Sequence, residues 1–181
     1  FYRKNPWGTI EAFLKAFPKD NFEDVGLVIK TINASVDPSE WNRLTSLAEQ
    51  DDRIRVIDGA LDRADLIQLY GCCDVFLSLH RSEGFGRGMA EALQLGVDVI
   101  STDFGGNTDF CNGPLAHPVR WRKAPIPRGS YQNADGHSWA EPDVDHAVEL
   151  CRQVAERRQN LVYNPNIADP SRDPLILAEY R

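Results

Sequence analysis

No stretch of the sequence approaches the ~20 apolar residues that a membrane-spanning helix needs, and no signal peptide opens it. Cysteine is scarce. Cys72, Cys73, Cys111 and Cys151 include no C-x-x-C pair. That spacing argues against a zinc site and a structural disulfide, and for buried free thiols in a reducing, cytoplasmic compartment. Positive charge is in deficit, with 20 Lys and Arg against 27 Asp and Glu and a formal net charge of -7. Non-specific nucleic-acid binding runs on clustered cations that release counterions, so no nucleic-acid partner is expected. A local basic pocket for one diphosphate stays open. There is no internal repeat and no low-complexity tract. Two phosphate-binding signatures are also missing. The residue that should complete G-x-G-x-x-G after Gly84 and Gly86 is Met89, and no Gly-Lys-Ser/Thr of a P-loop occurs. Dinucleotide-dependent dehydrogenases and P-loop NTPases are thereby disfavoured.

What is present fits one ordinary domain. The 181 residues are 42% hydrophobic and 26% charged, enough for a core and too apolar for disorder. The sequence opens at Phe1, without Met, and enters a helix almost at once, which reads as a fragment of something larger.

The pattern alternates helix and strand. Asn5-Pro6 starts a helix, with Asn as cap and Pro at the first helical position. Ile10, Phe13, Leu14 and Phe17 give its buried face, and Pro18 ends it. Val25 to Ile32 reads as a strand buried on both faces. Asp37-Pro38-Ser39-Glu40 is a capping box that opens a second helix with Trp41, Leu44 and Leu47 inside. Ile54 to Ile57 is a short strand. Asp62 caps a third helix carrying Leu66, Leu69 and Tyr70. Val75 to Leu79 is a strand, Gly86 to Leu95 a helix closed by Gly96, and Val97 to Ser101 a strand. Residues 114–136 read as loop around one strand, Pro118 to Trp121. Pro142 starts a last long helix with Val144, Val148, Cys151 and Val154 inside. The nucleotide-binding domain is set at residues 1–159, with a tail over 160–181 where Pro and Asp recur. Alternating βαβ units imply a Rossmann-like, doubly wound parallel sheet with helices on both faces, which binds ligands at the carboxyl ends of its strands.

The chemistry concentrates after Leu79. The link His80-Arg81-Ser82-Glu83-Gly84-Phe85-Gly86-Arg87-Gly88 joins a buried strand to a helix. Three glycines within five residues let the backbone approach a ligand closely. Free amides at the helix start, with its dipole, favour an anion, and Arg81 and Arg87 could add charge. This predicts a phosphate or diphosphate site. Glu91 falls about one and a half turns into the helix, where it could accept hydrogen bonds from vicinal hydroxyls such as those of a ribose. Glu83 would lie nearer the distal end of the ligand, where a sugar would be.

The order Ser82-Glu83-Gly84-Phe85-Gly86, Met89-Ala90-Glu91-Ala92, Gly96, Val99-Ile100-Ser101-Thr102-Asp103 and Gly105-Gly106-Asn107 resembles the retaining glycosyltransferases of family 4. The similarity covers roughly residues 1–155. That family carries an E-x7-E motif in the C-terminal domain of a GT-B fold, and Trp139-Ala140-Glu141-Pro142-Asp143 is similar to one branch of it. The resemblance implies a hexosyltransferase-type enzyme. It assigns Glu83, the catalytic acid, to the donor sugar and Glu91 to the nucleoside ribose. It makes a diphosphate cradle of Gly84 and Phe85 with the amides of Gly86, Arg87 and Gly88. Arg87-Gly88 stand where many members have Leu-Pro, which keeps the amides but not a shared side-chain role. Lys4 lines up with a lysine that pairs with the donor diphosphate. A companion basic residue usually lies a few positions earlier, and Arg3 does not match it by spacing.

Other candidates are less specific. His80 either touches the donor or is a satisfied histidine. Lys30 either reaches the phosphates from its strand end or is an edge residue. The loop from Thr102 to Gly106 and Asn107 borders the site, and Gly59 and Ala60 could line the base through their backbone. No Asp-x-Asp pair suits a metal, so neither metal nor cofactor is expected beyond the nucleoside diphosphate sugar. The N-terminal acceptor domain is missing from a chain this short. The competing readings are a related GT-B sugar-nucleotide epimerase or phosphorylase and a non-catalytic nucleotide- or protein-binding domain. A phosphorylase should carry a lysine for pyridoxal phosphate in the matching loop, and none is there.

Overall fold

A computed structural model describes residues 2–33, 36–162 and 175–180. Helix α1 (Pro6–Ala16) begins at Asn5, whose backbone is left-handed at φ 53° and whose side chain accepts from the Gly8 amide. Asn tolerates that conformation because its short polar side chain can bond locally. The Asn5 side-chain nitrogen also donates to the Leu79 carbonyl at 2.9 Å. One residue thus starts the helix and bolts it to a strand end. The chain continues through β1 (Gly26–Thr31), α2 (Pro38–Gln50), β2 (Ile54–Asp58), α3 (Arg63–Gly71), β3 (Val75–Ser78), α4 (Arg87–Gln94) and β4 (Asp98–Thr102). After it come β5 (Ala116–Val119), β6 (Trp121–Pro125), β7 (Ser138–Pro142), α5 (Val144–Val162) and β8 (Leu175–Tyr180). Asp37 and Asp62 cap α2 and α3 as their positions predict.

Six strands form one sheet in the order β2-β1-β8-β3-β4-β5, and every pair is parallel. Helices cover both faces. Phe13 of α1, Leu44 of α2 and Val148 of α5 pack with Leu27, Leu77 and Ile100 in one core. Leu66 and Tyr70 of α3 pack with Met89 and Ala92 of α4, Phe76 and Val99 in the other. Each fully buried side chain of this size contributes about 1.5–3 kcal/mol by leaving water. The result is the doubly wound α/β architecture expected.

Three local readings change. The expected strand Pro118 to Trp121 is split, because β5 ends at Val119 and Trp121 opens a separate antiparallel pair with β7. Pro142 closes β7 instead of starting α5. Asp143 is the better cap, and its carboxylate accepts from the His146 amide at 3.0 Å. Residues 175–180, read as tail, form the strand between β1 and β3. Cys73, Cys111 and Cys151 are buried, whereas Cys72 is exposed.

The amino end of the sheet is fixed by charge. Asp98 is 1% exposed. It receives His117 Nε2 at 2.7 Å, Arg158 at 2.9 Å and Arg157. Arg158 also reaches Asp74 and the Gly96 carbonyl. Burial alone would raise the Asp98 carboxyl, but these three partners hold it below the usual carboxylate range.

Candidate functional site

The carboxyl end of the sheet is built from two loops that touch. One follows β3 and the other follows β4. The Gly106 amide donates to the Glu83 carbonyl at 3.2 Å. A Cβ at Gly105 would lie 2.4 Å from that same oxygen, and one at Gly106 would lie 1.9 Å from the Gly84 carbonyl oxygen. Only glycine fits there, which is the physical content of the second glycine-rich turn. Asn107, 1% exposed, braces its own loop by donating to Thr102 O at 3.0 Å. His80 joins the two loops. Its Nε2–H donates to the Phe104 carbonyl, and Nδ1 accepts from the Ser78 hydroxyl, both at 3.0 Å. The ring is fully buried, and burial holds its pKa below the ordinary value, so it is neutral. His80 and Asn107 therefore lie beneath the site, and neither ring nitrogen of His80 faces a ligand.

Above them lies a cleft of about 200 Å³ lined by Arg3, Lys4, Ser78, Glu83 and the first turn of α4, from Gly86 to Met89. No side chain caps α4, and its entry residue Gly86 is left-handed at φ 88°. Uncapped first-turn amides with the helix dipole behind them make an anion cradle. Phe85 stands at the rim, 58% exposed, with its ring 5.0 Å from that of Phe110.

Two cations share the cleft with the Glu83 acid. Lys4 Nζ donates to Glu83 Oε2, and Arg3 Nη1 is 3.6 Å from the same oxygen. The other carboxylate oxygen accepts from the Gly84 amide at 3.2 Å. Burial would raise the Glu83 carboxyl. Lys4, by bond and charge, and then Arg3 hold it below its ordinary value. Sequence spacing set Arg3 aside, yet the turn over residues 2–4 carries it into the cleft.

Glu91 is buried on α4 and flanks the cradle from the α3 side. Its Oε1 accepts from Arg63 Nη1 at 2.5 Å and lies 3.8 Å from Arg87 Nε. Its Oε2 is buried, with no hydrogen-bond partner among the described residues. An unpaired buried acceptor costs about 1–3 kcal/mol, which a ligand hydroxyl would recover. Arg63 carried no sequence signal beyond its place just after the Asp62 cap.

Two other basic residues are engaged elsewhere. Arg81 does not face the cleft. It forms a two-point ion pair with Glu141 at 2.7 and 2.8 Å and donates to the Tyr2 carbonyl. Lys30 is 3% exposed and donates to Thr31 O at 2.8 Å and Gly59 O at 2.5 Å, tying β1 to the turn after β2. A larger groove, about 620 Å³, runs between α1 and α2 beside Trp7, Leu14 and Leu47. It lacks the convergence of amides and cations seen in the smaller cleft. Among the described residues no helix is long and apolar enough to cross a membrane.

The fold has solved counterparts. A structure described as "Crystal structure of GtfA/B complex" superimposes with a TM-score of 0.56 at 19% identity, over 91% of this chain. The match spans 31% of that chain, so the present sequence corresponds to about a third of its length. At that identity the likeness shows the fold alone, a Rossmann-like parallel sheet with helices on both faces. No curated protein matches the sequence. A family model described as "Glycosyl transferases group 1" matches residues 2–112, a span holding Lys4, both edge loops and Glu91. More than half of the sequence, including the residues named above as lining the cleft, thus follows one pattern, and the chain belongs to the group 1 glycosyl transferases.

Proposed function

We propose that this chain is the donor-binding part of a retaining glycosyltransferase that takes a sugar from a nucleoside diphosphate sugar. The observation that carries the reading is the meeting of the uncapped α4 amides with Lys4 and Arg3 in one cleft, beside a carboxylate. In this reading the diphosphate sits on the amides of Gly86, Arg87 and Gly88. Lys4 leaves Glu83 for the phosphates, and the freed Glu83 carboxylate meets the sugar. Glu91 takes the ribose hydroxyls on its unpartnered Oε2. Leaving of the nucleoside diphosphate builds negative charge on the phosphate oxygens. Fixed amides and two cations stabilise that charge in place, which is electrostatic preorganisation. These groups do so without calling on a divalent ion.

The acceptor wall of the cleft and its catalytic groups are placed outside these 181 residues. The isolated chain then binds donor weakly and transfers nothing. Four free thiols suit a reducing, cytoplasmic setting. Calorimetric titration with UDP-, GDP- and dTDP-sugars tests the reading, with Glu91→Ala as control. One of the three should bind, and the variant should lose that binding. Silence from all three would favour a non-catalytic domain, and transfer by the isolated chain would overturn the division of labour.

A further inference from the structure

Backbone clamps surround the cleft and leave two side chains to move. The Arg3 carbonyl accepts from the Arg81 amide at 2.8 Å, and the Asn5 side chain donates to the Leu79 carbonyl at 2.9 Å. Lys4 lies between these two anchors. Arg3 Nη1 also donates to the Ser82 carbonyl at 2.9 Å. On the facing loop the Glu83 carbonyl accepts from the Gly106 amide at 3.2 Å, with Gly105 packed directly against it. The backbones that carry Lys4 and Glu83 are thus fixed. Their ion pair can open by rotation of the two side chains alone, a change far faster than loop motion.

The pair sets an acid of the protein on the cation that an incoming phosphate needs. Glu83 Oε2 accepts from Lys4 Nζ, and Arg3 Nη1 is 3.6 Å from the same oxygen. The Lys4 and Glu83 side chains are only 20% and 13% exposed, so water screens them less than a surface pair. Burial opposes charge on Glu83, yet Lys4 and then Arg3 hold its carboxyl below the ordinary value, so it is an anion at neutral pH. The first turn of α4 lines the same cleft. A phosphate on those amides therefore arrives beside a carboxylate whose neutralising partner it must take.

What lies beyond the phosphate decides the outcome. A sugar puts hydroxyl donors on the carboxylate in place of Lys4. A bare terminal phosphate offers none, and it carries more negative charge, because its second ionisation falls at about pH 6. Like charges then face each other across the cleft, which costs free energy.

We infer that Glu83 makes the cleft discriminate against the spent nucleoside diphosphate in favour of the sugar-bearing nucleotide. This rests on the donor-site reading above and adds to it a part in product release. Lys4 exchanges between the Glu83 carboxylate and the phosphates in each cycle. Once the sugar has left, the carboxylate loses its hydroxyl donors and draws Lys4 back, which loosens the diphosphate. Glu91 is the internal contrast. Its Oε1 bonds Arg63 on the α3 side, and the ribose it faces is common to donor and product.

The test measures by calorimetry the binding of UDP, GDP and dTDP, and of their glucose, mannose and N-acetylglucosamine esters. For the base that binds, Glu83→Gln should take the bare diphosphate about tenfold more tightly than wild type, the scale of one charged contact. It should take the sugar ester no more tightly. Glu91→Ala should weaken both alike. In a Lys4→Met background the gain from Glu83→Gln should shrink, since no cation is left to release. Damage to the fold lowers affinity, so it cannot produce the gain. Bare diphosphate bound equally or more weakly by folded Glu83→Gln would overturn the discrimination. So would a wild-type chain that binds the bare diphosphate more tightly than every sugar ester of the same base, a result that needs no variant to fold. An undiminished gain in the Lys4→Met background would overturn the exchange of Lys4. Each of these leaves the donor reading intact if a sugar ester still binds, whereas silence from every nucleotide overturns the donor reading itself.

Discussion

A methyl group on Gly106 would stand 1.9 Å from the carbonyl oxygen of Gly84. That oxygen belongs to the backbone, so no rotamer change relieves the clash. Gly106→Ala should cost about 3 kcal/mol or more of stability and abolish nucleotide binding, because the two edge loops must separate. Gly113→Ala meets open space and should stay within about 0.5 kcal/mol of wild type. Denaturant unfolding of both variants checks the contrast.

Glu91 separates affinity from stability. Its Oε2 has no hydrogen-bond partner among the described residues, so Glu91→Ala removes an unpaired buried acceptor as well as the Arg63 bond. Donor affinity should fall about 10- to 100-fold, the scale of one or two lost hydrogen bonds. The melting temperature should hold or rise. Unchanged affinity with a large drop in stability would make Glu91 a structural acid.

Acid sensitivity should be set at the far end of the sheet. Asp98 has a folded-state pKa below its ordinary value because His117, Arg157 and Arg158 outweigh its burial. A depressed carboxyl stabilises the fold above the unfolded pKa of about 3.9 and loses that contribution as pH falls through the folded value. Asp98→Asn should destabilise the protein by about 3 kcal/mol at neutral pH, since it strips the charge partner from two arginines, Arg157 and Arg158. It should also flatten the loss of stability below about pH 4. Unfolding curves across pH read both effects.

His80 should stay neutral where an ordinary histidine titrates. Burial lowers its pKa, so protonation favours the unfolded chain. Stability should decline as pH falls below about 6.5, the unfolded value, toward the lower folded one. The His80 ring protons, followed by NMR, should not shift near pH 6.5. A normal titration there would show that the ring is not locked between Ser78 and Phe104.

Much of the fold can be read along the sequence because its signals are local. Asn5, Asp37 and Asp62 each satisfy amides within three residues, so the helix starts are visible in a short window. Glu83, Glu91 and the glycines between them lie on one strand–loop–helix unit, so their meeting is also local. What stayed hidden depends on distant partners. Arg81 is basic and next to the site, yet its direction is decided by Glu141, sixty residues on. Arg63 reaches Glu91 across two helices. Arg3 enters the cleft through a turn whose geometry its spacing from Lys4 does not report. The hairpin of β6 and β7 encloses a long polar loop, and its strands are too short to show alternation.

The position of β8 has a consequence for synthesis. Residues 175–180 pair with β1 on one side and β3 on the other, so the slot at the middle of the sheet is filled by a segment that follows all its other strands in the sequence. Until it arrives, a growing chain on the ribosome carries two half-sheets with open inner edges. Contacts of such high sequence separation form slowly, and unpaired edges invite association with other chains. The domain should therefore close after translation of these residues rather than during it, and a nascent chain halted before them should remain a client of chaperones.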